Sequence, residues 1–142
     1  MTDPYRLQRF TEAQAPIFDQ VLSELLAGQK QSHWMWFVFP QIKGLGHSPM
    51  AREFAISSLE EASAYLSHPL LGERLRECTG LVNAVRGQAI EQIFGYTDAM
   101  KFRSSMTLFS RASSGEQVFN DALRTYFDGE PDALTLERIG PG

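Results

Sequence analysis

Residues Ser32 to Gln41 read SHWMWFVFPQ, and the fold turns on where this stretch goes. Two Trp, two Phe, a Met and a Val fall within ten positions, with His33 near one end and Pro40-Gln41 at the other. Nothing else in the chain is so apolar or so aromatic. Such a run belongs in the interior, since each large aromatic side chain removes roughly 150–250 Å² from water when buried. Periodicity does not assign its conformation, because almost every position is apolar. A short buried helix from about Ser32 to Val38 and a buried strand both fit, and Pro40 stops either one. The helix is favoured because no strand partner is visible elsewhere.

The flanking sequence is written in helices. Asp3-Pro4 is a plausible helix start. Thr11 to Gln14 has capping-box spacing and predicts another, with Pro16 tolerated in the first turn. Ile17, Val21, Leu22, Leu25 and Leu26 then recur at helical spacing, and Gly28 closes that helix. Ile42 to His47, with two glycines, is a loop. Ser48-Pro49 opens a short helix, and Ser58 to Glu61 forms a capping box for the next, which His68-Pro69 breaks. Leu70 to Val85 marks a long amphipathic helix. Gly80 inside it predicts a close helix crossing, since Gly there otherwise costs about 1 kcal/mol relative to Ala. Ala89 to Phe94 is short and helical, and Gly95 caps it. Thr97 is the expected cap of a helix running to about Ala112. Ser114 to Gln117 starts another that Asp128-Gly129 ends. Asp132 to Ile139 is the last. The expectation is mainly α: a single domain over 1–142, an irregular orthogonal bundle of about six to eight helices, frayed at about 1–4 and 139–142.

Composition narrows the function. In 142 residues the net charge is −4, and no basic face is evident, which argues against a general nucleic-acid binder. A nucleic-acid reading would need a basic stripe joining Lys30, Lys43 and Arg52. The longest apolar run is far too short to span a bilayer, so no membrane partner is expected. Cys78 is the one cysteine, so no disulfide closes within the chain and no thiolate zinc cluster is built. A reduced, cytoplasmic setting is the default. His33, His47 and His68 lack metal-ligand spacing, so no metal is expected, and no cofactor signature is read.

Two places carry candidate chemistry. The first is the aromatic stretch, where Trp34 and Trp36 offer ring faces for stacking. His33 beside them is an acid, base or donor, and Gln41 a group to orient a ligand amide. The second is the helix after Thr97. At 100° per residue Asp98, Lys101 and Ser105 share one stripe, with Ser104 to its side. Lys beside two hydroxyls is a sensible cradle for phosphate or carboxylate. The bland alternatives stand beside these: Trp residues as core anchors, an Asp98–Lys101 surface pair of about 0–1 kcal/mol, and serines that permit close packing. The Gly44–Gly46 loop precedes a helix start and lets a backbone approach a ligand closely. It lacks the spacing of a P-loop.

His33 to Gln41, then Gly44-Leu-Gly46, Ile56 to Ser58, Ile93 to Gly95, Asp98, Lys101 and Ser104 to Phe109 together resemble the bacterial family catalogued as domain of unknown function 1810. The resemblance runs from about Tyr5 to Phe127 and implies a compact, mainly helical domain. It implies no activity. A fainter similarity, in size, helical reading and a late Lys-containing helix facing an aromatic segment, is to the NADAR glycosidases, at the level of fold analogy.

The combined reading is a small-ligand pocket for an anionic, ring-containing molecule of the nucleotide or ADP-ribose kind. Trp34, Trp36, Gln41, Gly44, Gly46, Lys101, Ser104 and Ser105 would bind it, and His33 or Asp98 would carry any proton. The rival is a protein-interaction module that docks a partner on an exposed patch of Trp34, Trp36 and Phe37. The two differ in whether the indoles and Lys101 meet in one concavity.

Overall fold

The computed structural model describes residues 3–140. Ten helices follow in order: α1 Gln8–Gln14, α2 Phe18–Leu26, α3 Met35–Val38, α4 Pro49–Glu53, α5 Leu59–Ser67, α6 Leu71–Ala84, α7 Ile90–Phe94, α8 Tyr96–Ala112, α9 Gln117–Phe127 and α10 Ala133–Ile139. The helical expectation holds, with more pieces than the six to eight expected. No strand forms among the described residues. A lone parallel bridge joins Ile42 to Ile56. It ties the loop after Pro40 to the segment after α4, with Lys43 N–H donating to the Ile56 carbonyl at 2.8 Å.

The longest helix, α8, is the axis of the packing. It touches α9, α5, α7 and α10, while α6 packs on α9, α5 and α2. Its middle is buried at every position from Ser104 to Phe109, and Phe102 is buried just before it. Two of its hydroxyls, those of Ser104 and Thr107, bond back along the helix, Thr107 Oγ1 to the Arg103 carbonyl at 2.9 Å, a habit of Ser and Thr in helix interiors. The aromatic stretch lies against this axis. Phe39 meets Phe102 edge-on with centroids 5.1 Å apart, and Phe94 stacks on Phe102 at 5.1 Å. The stretch is helical only over the four residues of α3, shorter than the Ser32–Val38 expected.

Caps decide most boundaries. Ser48, Ser58 and Asp132 each accept an N–H of their helix's first turn, from Ala51, Glu61 and Thr135, all at 3.1 Å. Each is worth about 1 kcal/mol. Three expectations fail for identifiable reasons. Thr11 starts no helix. It lies inside α1, whose approach is capped by Asp3 through the N–H groups of Leu7 and Gln8 at 2.8 and 2.9 Å. Thr97 does not cap α8, because Gly95 does so at φ +82° and the helix begins at Tyr96. Gly80 faces open space, and Gly72 is the close-approach glycine. A Cβ at Gly72 would stand 2.1 Å from the Leu66 carbonyl oxygen. As for the fraying expected at the ends, Asp3 is held as described and Ile139 packs on the core, while 1, 2, 141 and 142 lie outside the described residues.

Candidate functional site

A buried carboxylate seats the aromatic stretch. Glu24, on α2, accepts five hydrogen bonds. Its Oε1 takes the N–H groups of Gln31 at 2.7 Å and Ser32 at 3.0 Å and the indole N–H of Trp34 at 3.0 Å. Its Oε2 takes the Ser32 hydroxyl at 2.7 Å and the Gln20 amide at 3.0 Å. Burial opposes its ionisation, but the donors from Gln31, Ser32 and Gln20 outweigh burial and hold the carboxyl at about 2. The turn before Trp34 is thereby fixed, and Lys30 N–H anchors it to the Ile93 carbonyl at 2.7 Å.

A row of alternating charges runs from this turn onto α8. Lys30 Nζ lies 2.8 Å from Asp98 Oδ2, with the lysine side chain only 8% exposed. Lys101 Nζ lies 3.6 Å from Asp98 Oδ1. Each ammonium also sits on an indole face: Lys30 is 5.2 Å from the Trp34 ring centroid, and Lys101 is 5.2 Å from that of Trp36. Such contacts are worth about 0.5–2 kcal/mol, more as water is excluded. Lys30 is the member the sequence reading missed as a site residue. A polar turn before an apolar run carries no sign that its lysine will reach a helix far along the chain.

Beside Trp36 lies a small cleft lined by Trp36, Gln41, Gly44 and Gly46, with Ala51 and Phe54 behind. Its volume of about 10 Å³ holds about one water. Gly44 adopts φ +102°, and a Cβ there would meet the Arg138 guanidinium at 2.8 Å. An arginine of α10 therefore lies across the glycine backbone. Arg138 is the second residue that sequence reasoning missed, and only the tertiary fold brings it there.

The remaining candidates are placed elsewhere. Trp34 is fully buried and its N–H is taken by Glu24, so it presents no face to a ligand. Phe37 is buried as well. The docking patch of Trp34, Trp36 and Phe37 is therefore not formed, because burying these rings is what packs α3 onto the core. The single proton of the Ser104 hydroxyl is shared between the Met100 carbonyl and Asp132 Oδ2, each at 3.1 Å, which commits it to the start of α10. Ser105 is fully buried with no partner for its hydroxyl. The Lys–Ser–Ser cradle is thus not assembled: α8 is enclosed where its serines lie. His33 is exposed. Lys30 is tied into its ion pair, so it does not extend a basic stripe to Lys43 and Arg52. Cys78 is fully buried, and burial pushes its thiol up to about 12, so it is no nucleophile. Among the described residues no three His, Cys, Asp or Glu side chains gather as for a metal. No described helix is long and apolar enough to cross a membrane.

Among the described residues these features define a helical fold with an aromatic, lysine-capped face. The chain belongs to the family described as protein of unknown function (DUF1810), whose model matches residues 4–139. It is similar to a solved structure, the conserved hypothetical protein Rv1873 from Mycobacterium tuberculosis, at 58% identity and a TM-score of 0.93. The match covers 94% of this chain and 95% of that one. No curated protein matches.

Proposed function

We propose that the domain binds a small anionic molecule bearing a planar ring, of the nucleotide or ADP-ribose class, on the face of Trp36, Gln41, Gly44, Gly46 and Lys101. The observation that supports this is the Lys101 ammonium lying 5.2 Å from the centroid of the half-buried Trp36 ring. A ring for stacking and a cation for an anionic group stand side by side. Lys101 is also incompletely neutralised, since its carboxylate neighbour Asp98 is held more closely by Lys30, at 2.8 against 3.6 Å. The cleft admits about one water, so the ligand ring lies on the outer face of the indole rather than inside. Arg138, across Gly44, adds a second cation at the edge. His33 or Asp98 would carry any proton in a reaction there.

The test is a thermal-shift and calorimetric comparison of AMP, ADP and ADP-ribose on the wild type and on Lys101→Met. Binding to the native state raises the unfolding temperature by mass action. Removing the ammonium leaves Asp98 paired with Lys30, so the variant folds, and its affinity falls by about tenfold, the worth of one charged contact. The proposal is overturned if none of the three ligands raises the unfolding temperature, or if Lys101→Met binds as tightly as the wild type.

A further inference from the structure

Next to the Trp36 cleft, and sharing Ala55 with it, lies a second cleft of about 280 Å³. Arg6, Arg9, Lys43 and Arg52 line it, with the carboxylates of Glu53 and Glu61 and the ring of Tyr5. Four cations face two anions, on a chain whose net charge is −4. Both anions are already engaged. Glu61 Oε2 is 3.0 Å from the Arg9 guanidinium, and its Oε1 accepts the N–H and hydroxyl of Ser57 at 3.0 and 2.7 Å. Arg9 is further spent on the carbonyls of Glu53 and Ala55, at 2.8 and 2.9 Å. Glu53 has Arg6 at 3.7 Å, a pair open to water on both sides and so of little strength. Lys43 and Arg52 have no carboxylate within 4.0 Å among the described residues. The cleft therefore carries two uncompensated positive charges.

The frame that holds them is firm. Lys43 is pinned by the bridge between Ile42 and Ile56, whose two backbone hydrogen bonds measure 2.8 and 2.9 Å. Arg6 stands in the left-handed region at φ +52°, a conformation that non-glycine residues adopt at a penalty and that collects at functional sites. A concave, positively charged site of this size lies just below the usual span of ligand pockets, roughly 300–1,000 Å³. It suits a compact dianion.

We infer that the cleft between Tyr5, Arg6, Lys43 and Arg52 is a binding site for a phosphate monoester or inorganic phosphate. Lys43 and Arg52 hold the oxyanion, and Arg6 turns to it from Glu53. The inference rests on cations other than Lys101, although the two clefts share Ala55 in their linings.

The probes are inorganic phosphate and methyl phosphate, with chloride at matched ionic strength as the reference. Amide signals of the full chain are followed in ¹H–¹⁵N spectra. The expected result is saturable movement confined to the signals around Arg6, Lys43 and Arg52, absent with chloride. Lys43→Met and Arg52→Met, each at an exposed and unpaired position, lower the affinity by about tenfold apiece. Arg111→Met, an exposed cation outside the cleft, leaves it unchanged, and so does Lys101→Met, which separates this site from the Trp36 face. Shifts that never saturate or scatter over the surface, or Lys43→Met and Arg52→Met chains that bind as the wild type does, would overturn the assignment. The wild-type mapping stands even if a variant folds poorly.

Discussion

Replacing Glu24 with Gln is the most exacting test of how the aromatic stretch is held. The carboxylate is buried, and five donors converge on its two oxygens. Gln keeps one oxygen but turns an amide NH2 toward groups that are themselves donors. Magnitude follows from proton affinity. The carboxyl sits at about 2 rather than the ordinary 4.5, and each tenfold is about 1.4 kcal/mol, so the native contacts favour the ionised form by about 3 kcal/mol. A lowered folded-state value stabilises the protein above the unfolded value. This contribution is therefore complete above about pH 4.5 and is lost as pH falls toward about 2. Urea denaturation of the wild type and of Glu24→Gln, at pH steps from about 7 to 2.5, reads it directly. The variant should be about 3 kcal/mol less stable at neutral pH, with the gap closing through that acid window. Carboxylates common to both proteins cancel in the difference. A gap that stays constant with pH, or a variant as stable as the wild type at pH 7, would falsify the claim that the ionised carboxylate fastens the turn.

Two further substitutions test the packing. Gly72→Ala sets a methyl 2.1 Å from a backbone carbonyl that cannot swing away. It should lose about 3 kcal/mol on denaturation, whereas Gly80→Ala, with nothing within 4 Å, should gain up to about 1 kcal/mol. Equal effects at the two glycines would contradict the assigned α5–α6 approach. Ser105→Ala removes a buried hydroxyl that has no partner and adds helix propensity, so it should stabilise by about 1 kcal/mol and leave ligand affinity unchanged. A measured loss of stability would mean the hydroxyl is bonded after all.

What could be read from sequence was the local part. Ser48, Ser58 and Asp132 announce their helices because a cap is a contact between residues three apart. Gly28 and Asp128-Gly129 mark ends for the same reason, since both glycines take positive φ. The errors arise where a distant element decides. Thr97 has the chemistry of a cap, yet α7 ends one residue before α8 begins, and only Gly95 can make that corner. Ser104 and Ser105 look like a polar stripe until α10 and its neighbours close over them. Trp34 and Trp36, two positions apart with equal appetite for burial, are separated by the acceptor that Glu24 supplies to one of them alone. Trp36 and Lys101 meet through the ammonium over the indole, yet Lys101 does not line the cleft beside Trp36. The partnership of Lys30 with Asp98 had no local trace.

The solitary thiol of Cys78 has a practical consequence. With no second thiol in the chain and none of its own surface open to solvent, it is silent toward thiol-alkylating reagents while the native packing lasts. Reaction at this atom then counts transient openings of the helix that carries it, giving an inbuilt clock for the interior that needs no engineered probe.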